Sequence, residues 1–196
     1  MRTVFEVGAN EGHDVAEYLK DTNTRVFAFE AAPYLFLQMI ERFKDEQRLF
    51  PFNMAVDIEN GFKKFNIAAN DGCHSLHNFT HNITEIWEGH DDLHFVKSYE
   101  NILCMRLDSF MDIYNIDKID YLEIDTQGND LNVLKGLGDR IYDVKEGHCE
   151  ASYEFSLYQV ESGWEHIKQW LESKDFKVTV KPHFDHNVEV DLHFIR

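Results

Sequence analysis

Four acids close apolar, strand-like runs: Glu6 in TVFEVG, Glu30 in RVFAFE, Asp125 in IDYLEID and Glu150 in KEGHCE. A buried carboxylate is costly unless it is paired or used, and in an open parallel sheet the carboxyl ends of the strands line the ligand crevice. Acids placed there can hold ribose hydroxyls, take a proton as general base, or coordinate a hard cation such as magnesium or manganese. Chance alone would set an acid after one or two strands in a chain this acidic. A second group lies in NDGCHSLH (70–77), where Asp71, His74 and His77 offer general bases within a few residues. Gly8 and Gly12 flank Ala9, Asn10 and Glu11 just after the first run. Glycine at such a turn lets a ligand approach the backbone closely.

The elements that must position these groups alternate between strand-like and helix-like patterns, the mark of a parallel sheet with crossover helices. Strands are expected at Val4–Val7 and at 25–30, with a short helix from His13 to Lys20 between them. Pro33 opens a helix whose Phe36, Met39, Ile40 and Phe43 form one apolar stripe. LFPFNMAV (49–56) reads as a third strand, with Pro51 placing its start at an edge, and FKKFNIA (62–68) as a further one. From Asn70 to about Lys97 the pattern dissolves, as in a lid over a site. A strand then runs through NILCM into a helix that Asp108 is placed to cap. After the 119–128 strand, a helix over Asn129–Leu137 stops at Gly136 or Gly138. VKEGHCEAS (144–152) is a fifth core strand. Ser162 and Glu165 form a capping box for an amphipathic helix carrying Trp164, Ile167 and Leu171. FKVTVKP and VEVDLHFIR close the chain as an antiparallel pair at one sheet edge. The expectation is a single α/β domain over 1–196.

With 196 residues and 43% hydrophobic content, the chain is long enough for one sizeable core. A formal net charge of -17 with scattered Lys and Arg repels a phosphate backbone, which excludes nucleic acid as an expected partner. No run reaches the length of a membrane span and no targeting pattern opens the chain, so a soluble, cytoplasmic protein is expected. Cys73, Cys104 and Cys149 form no CxxC pair and read as reduced thiols.

The first turn lacks the GxGxxG of a dinucleotide fold, so it suits a ligand without a pyrophosphate, and S-adenosylmethionine (SAM) is such a ligand. Glu30 follows Gly8 by about 20 residues, the spacing of an acidic ribose contact. A plain tight turn is the alternative use of these glycines. At this point the sequence resembles the FkbM-type SAM-dependent methyltransferases. The likeness runs from Val4 to Gly138 through EVGANEG, FAFEAAP, NMAV, MRLDSF and, most specifically, IDYLEIDTQGNDLNVLKG. It implies a Rossmann-like SAM-methyltransferase fold: a mostly parallel seven-stranded sheet, flanking helices and an antiparallel C-terminal strand. It implies further that Gly8, Ala9 and Asn10 cradle the methionine part of SAM, that Glu30 holds the ribose, and that Asn53, Met54 and Ala55 border the adenine. Glu6, Ala31 and Ser75 belong to the same cofactor site. Three positions depart from the family pattern: Glu6 stands for Asp, Ala31 for proline, and Gln127 for an acid beside Asp125.

Methyl transfer is an in-line displacement, so positioning is most of the task, and a hydroxyl acceptor must also lose its proton. Asp125, Asp71 and His77 are the expected bases, with His74 an alternative. Asp125 could instead cap the helix after it, and Asp71 could simply shape an Asn-Asp-Gly turn. A magnesium or manganese ion on Asp125 and Glu150 is the other route to an acidified oxygen. Trp87, His90 and Tyr99 could shape the acceptor site. The resemblance implies a hydroxyl of a sugar or of a polyketide-like metabolite as acceptor, in a domain that can be fused to glycosyltransferase domains; a first strand starting at residue 3, as in a domain cut from a longer chain, favours a glycan hydroxyl, on a deoxysugar such as rhamnose. The alternatives are a small non-sugar metabolite, a nicotinamide-dependent oxidoreductase, or a catalytically silent SAM-fold module.

Overall fold

β-Branched and aromatic residues fill β1 (Arg2–Val7) and β2 (Thr24–Phe29), which pair in parallel. The protein is seen in a computed structural model that describes residues 1–81, 83, 95–153, 157–160, 163–182 and 188–196. The main sheet holds β3 (Leu49–Phe52), β2, β1, β7 (Tyr121–Ile124), β8 (Glu146–Ser152), β10 (Glu189–Ile195) and β9 (Lys177–Pro182) in that spatial order, seven strands in all. Its strands are parallel up to β8, and β10 is antiparallel to both β8 and β9. A second, three-stranded sheet orders β4 (Ala55–Val56), β6 (Val96–Met105) and β5 (Gly61–Ala68).

Strand order runs outward from β1 through β2 to β3, then restarts on the other side with β7. That reversal opens the crevice at the carboxyl ends of β1 and β7. The helices α1 (His13–Tyr18) and α2 (Pro33–Arg42) cover one face through Val15 and Met39, against Val4, Val26 and Ala28. The other face carries Phe5, Phe27 and Phe29 against Phe110 of α3 (Leu107–Ile113), whose ring meets Phe29 edge-on at 4.8 Å. Leu134 of α4 (Asp130–Lys135) and Ile167 of α5 (Trp164–Glu172) extend that core.

Several local expectations change. The run 49–56 is two strands in two sheets: Asn53 turns the chain by donating its amide to the carbonyls of Glu30 (2.8 Å) and Ala31 (3.2 Å). Pro51 does sit on an edge strand. Asp108 lies inside α3, where Arg106 grips it, and does not cap it; Arg106 is the N-cap. The helix expected to Leu137 ends at Lys135, and a 3-10 turn over Gly138–Asp143 follows. Gly163 is the N-cap of α5, with its N–H donating to His166 Nδ1 at 3.4 Å; the capping residue expected at Ser162 lies outside the described residues. Trp87 and His90 lie outside them too. Among the described residues no helix is long and apolar enough to cross a membrane.

Candidate active site

The turn after β1 is built inward. The N–H groups of Gly8 and Ala9 both donate to Phe29 O, at 2.9 and 3.0 Å, and that of Asn10 donates to Glu30 Oε2 at 2.7 Å. Glu11 N–H donates to Asn10 Oδ1 and Gly12 N–H to Ala9 O. With these donors engaged, the turn is no cradle for a phosphate, whose binding at such turns depends on outward N–H groups. Gly8 is demanded by packing: its φ is 95°, and a Cβ there would stand 1.8 Å from Asp125 O. The close approach glycine permits is therefore to β7.

Glu30 closes the other side of the turn. Its Oε1 takes the Ala32 N–H at 2.7 Å while Oε2 takes that of Asn10, and the residue is only 5% exposed. Burial outweighs these bonds and pushes its pKa from 4.5 up to about 7. Its remaining lone pairs face a cleft of about 580 Å³, counting the open mouth. Gly8, Asn10, Ala31, Asp125 and Gln127 share that lining, with an apolar wall of Leu35, Met54, Ala55 and Phe65. A carboxylate for a diol beside a slot for a flat apolar ring fits a nucleoside without phosphates. Asn53, expected beside the adenine, is exposed and serves the turn; Ala9 is buried in the core beneath.

Residues 70–77 form the cleft's upper rim, where Asp71, Gly72, His74 and Leu76 face inward. Asn10 Nδ2 donates to Asp71 O at 3.2 Å, which ties the rim to the first turn. Ser75 and His77 do other work than the cofactor contact and base expected of them. Ser75 Oγ donates to Gln127 O at 2.6 Å and takes the His77 N–H at 2.9 Å, while His77 Nε2 lies 3.0 Å from Asn129 Oδ1. Asn129 already uses its amide as donor to Val56 O, so His77 is the donor in that pair. Both side chains pin the rim to the loop after β7, and neither lines the cleft.

On the far side of Gly8 lies an acidic hollow lined by Glu6, Asp14, Glu123, Asp125, His148 and Glu150. Glu6 is 4% exposed, and its Oε2 has no hydrogen-bond partner. Burial, then Glu123, holds its pKa well above the carboxylate range. Burial followed by Asp125 and Glu189 pushes Glu150 up to about 9. Burial pulls the His148 ring down, but Glu123 at 2.5 Å and Asp191 at 3.2 Å outweigh it and raise its pKa. Among the described residues, no group of three or more His, Cys, Asp or Glu is disposed to hold a metal ion. Asp125 and Glu150, the pair expected to hold an ion, belong to no such group.

Reading the sequence alone passed over two tyrosines. Tyr34 Oη contacts Asp71 and His74, and Tyr158 Oη donates to Gln127 Oε1 at 2.7 Å. Pro33 at the start of α2 was the available signal for the first, since it fixes Tyr34 on the opening turn beside Glu30. Tyr158 had none. Tyr99, expected near the acceptor, stands exposed on β6 over Lys64.

A switch-point cleft at the end of β1, an acid at the end of β2 and an antiparallel strand at the far edge define the SAM-dependent methyltransferase class. Solved structures share this fold: a fibrillarin from Aeropyrum pernix with bound S-adenosyl-L-methionine (TM-score 0.54, 11% identity, 99% of this chain and 66% of that one); a precorrin-6y C5,15-methyltransferase from Geobacter metallireducens (0.53, 11%, 100% and 79%); and an rRNA methylase from Streptococcus thermophilus (0.52, 10%, 100% and 86%). No curated protein matches the chain in sequence. The methyltransferase FkbM domain matches residues 6–178, and the chain belongs to that family.

Proposed function

We propose that this enzyme transfers the methyl group of SAM to a hydroxyl of a sugar or glycan, a deoxysugar such as rhamnose being the favoured acceptor. The observation that carries the reading is Glu30: a buried carboxylate at the end of β2, anchored by two backbone N–H groups, in one cleft with Asp71 and Asp125. Glu30 would hold the ribose diol, Met54 and Ala55 the adenine, and the Asn10 turn the methionine end near Glu6. The bound donor supplies an electrophilic methyl group on a sulfonium. Everything else falls to the chain's own side chains.

Asp125, at the cleft floor, offers a counter-charge to that sulfonium. Asp71, at the rim, takes the proton of the acceptor hydroxyl as the oxygen attacks. No step is assigned to a metal. The many acids around the cleft disfavour a phosphate-bearing acceptor, which argues against an RNA substrate such as the one named for the Streptococcus thermophilus neighbour and for a neutral one. The engaged N–H groups of the first turn argue likewise against a dinucleotide.

Calorimetric titration with SAM and, separately, NADH tests the cofactor. Saturable SAM binding and none of NADH is expected, and the reverse overturns the proposal. Transfer of labelled methyl from SAM to a panel of sugars then tests the chemistry. Turnover lost in Asp71→Asn with SAM binding kept supports the base, whereas SAM binding without turnover on any hydroxyl marks a silent module.

A further inference from the structure

Three side chains from two segments meet at the cleft rim: Tyr34 on the first turn of α2, and His74 and Asp71 in the loop that follows β5. Tyr34 Oη lies 2.5 Å from Asp71 Oδ1 and 2.6 Å from His74 Nε2. His74 Nδ1 accepts the backbone N–H of Ala68 at 3.0 Å.

The last bond sets the direction of the others. A ring nitrogen that accepts an N–H keeps its lone pair, so the proton of the neutral imidazole sits on Nε2. Nε2 must then donate to Tyr34 Oη. The tyrosine proton is left to point at Asp71 Oδ1. The chain of donors starts at a strand backbone and ends on a carboxylate that only accepts. Its second oxygen, Oδ2, remains for the acceptor hydroxyl.

We propose that Tyr34 and His74 form a one-way hydrogen-bond relay that positions Asp71 as an acceptor-only carboxylate over the cleft. The relay rests on the reading of Asp71 as the base. His74 is 8% exposed and packs edge-on to Phe65 and Tyr34, so the ring has no other orientation available without losing the Ala68 bond. The charged groups facing the relay are Glu11 and Glu30 near Tyr34, and Lys97 with Asp71 near His74. Burial and Lys97 both disfavour the imidazolium, Asp71 alone favouring it, so the ring stays a neutral donor below its ordinary range. Neither Tyr34 nor His74 transfers a proton; they are positioning residues.

Four variants test this: Tyr34→Phe, His74→Gln, His74→Asn and Asp71→Asn. A glutamine amide reaches the place of Nε2 and keeps the donor to Tyr34, whereas asparagine reaches only the place of Nδ1. With L-rhamnose as the probe acceptor, Tyr34→Phe and His74→Asn are expected to lower kcat about tenfold to a hundredfold. Their SAM Kd should stay within twofold, and His74→Gln should stay within threefold of wild type at both pH 6 and pH 8. Wild-type kcat in Tyr34→Phe, with Asp71→Asn inactive, would sink the relay and leave the base standing. Activity retained in Asp71→Asn would sink the base reading and the relay together. A third readout needs no acceptor: the ¹⁵N spectrum of the His74 ring in the unliganded protein. It should show a proton on Nε2 at pH 6 to 8, and a proton on Nδ1 overturns the proposal.

Discussion

Gln127 holds Asp125: its Nε2 donates to Asp125 Oδ1 at 2.5 Å while its Oε1 takes the hydroxyl of Tyr158. An amide suits this place because it is donor and acceptor at once, whereas a carboxylate could serve Tyr158 but would face Asp125 with like charge. Gln127→Glu keeps the side chain's shape and the left-handed backbone at this residue, φ 54°. Methyl transfer by this variant should fall about tenfold at pH 8 and recover toward pH 6, where one proton shared between the two carboxyls restores the bond. Parallel pH-rate profiles of the two proteins check this, and a parallel shift with no recovery would refute it.

Glu30 predicts the pH dependence of cofactor binding. Its carboxyl is held at about 7, burial being the main cause. Ribose hydroxyls donate to the ionised form, so SAM selects the deprotonated protein and binding releases a proton. SAM affinity should therefore rise between pH 6 and pH 8, steepening toward about tenfold per unit on the acid side. Calorimetry in two buffers of different ionisation enthalpy measures the released proton directly. Glu30→Gln should bind more weakly, with the pH slope gone.

What could be read in the chain was what residue type marks. Gly8 and Glu30 stand out by type, a glycine after an apolar run and an acid at a strand end, although the close approach that Gly8 permits is to the backbone of Asp125. The division of 49–56 between two sheets was hidden in one continuous apolar run, since Asn53 acts through carbonyls more than twenty residues earlier. Tyr34 and Tyr158 were out of reach for a related reason. Their partners Asp71 and Gln127 lie 37 and 31 residues away in sequence, and nothing local to a tyrosine signals which distant carboxylate or amide its hydroxyl meets. Ser75 and His77 show the opposite difficulty. Polar residues in a site-facing loop look catalytic from type alone, and only their bonds to Gln127 and Asn129 give them a structural task.

Stability should fall as pH rises from the unfolded carboxyl values toward about 9, the highest of the folded ones. Burial pushes Glu30 from 4.5 to about 7, Asp130 from 3.8 to about 8 and Glu150 from 4.5 to about 9. Each carboxyl binds its proton more tightly folded than unfolded. Its contribution is greatest below the unfolded value and is lost as pH climbs to the folded one. His148 has the same sign, because Glu123 and Asp191 overcome its burial and raise it. Asp108 and Asp120, whose pKa values are lowered, are ionised in both states above pH 6 and add no slope there. One pH unit of this linkage is about 1.4 kcal/mol, or about 3–6 °C in a domain of this size. The melting temperature should drop by at least that from pH 6 to pH 9, and Glu150→Gln should flatten the slope. A melting curve that is level or rises over this range would contradict the assignment.

Gly8 and Gly12 should respond very differently to alanine. Both have positive φ, 95° and 78°, so each substitution meets backbone strain of about 1–2 kcal/mol. The difference is what the new methyl group meets. At Gly8 it falls 1.8 Å from the carbonyl oxygen of Asp125, backbone that cannot rotate away and that is fixed by the bond from Asp125 N–H to Val7 O at 2.9 Å. β1 and β7 would have to part at the cleft floor. At Gly12 it meets Phe43 Cε2 at 2.7 Å, the far end of a side chain that can shift. Gly8→Ala should therefore lose about 4 kcal/mol or more, at the extreme of single substitutions, and lose SAM binding with it. Gly12→Ala should lose about half that and keep the cofactor. Urea unfolding gives the first comparison and calorimetry with SAM the second. Equal losses in the two variants would mean that the contact between Gly8 and Asp125 does not govern the junction of β1 and β7.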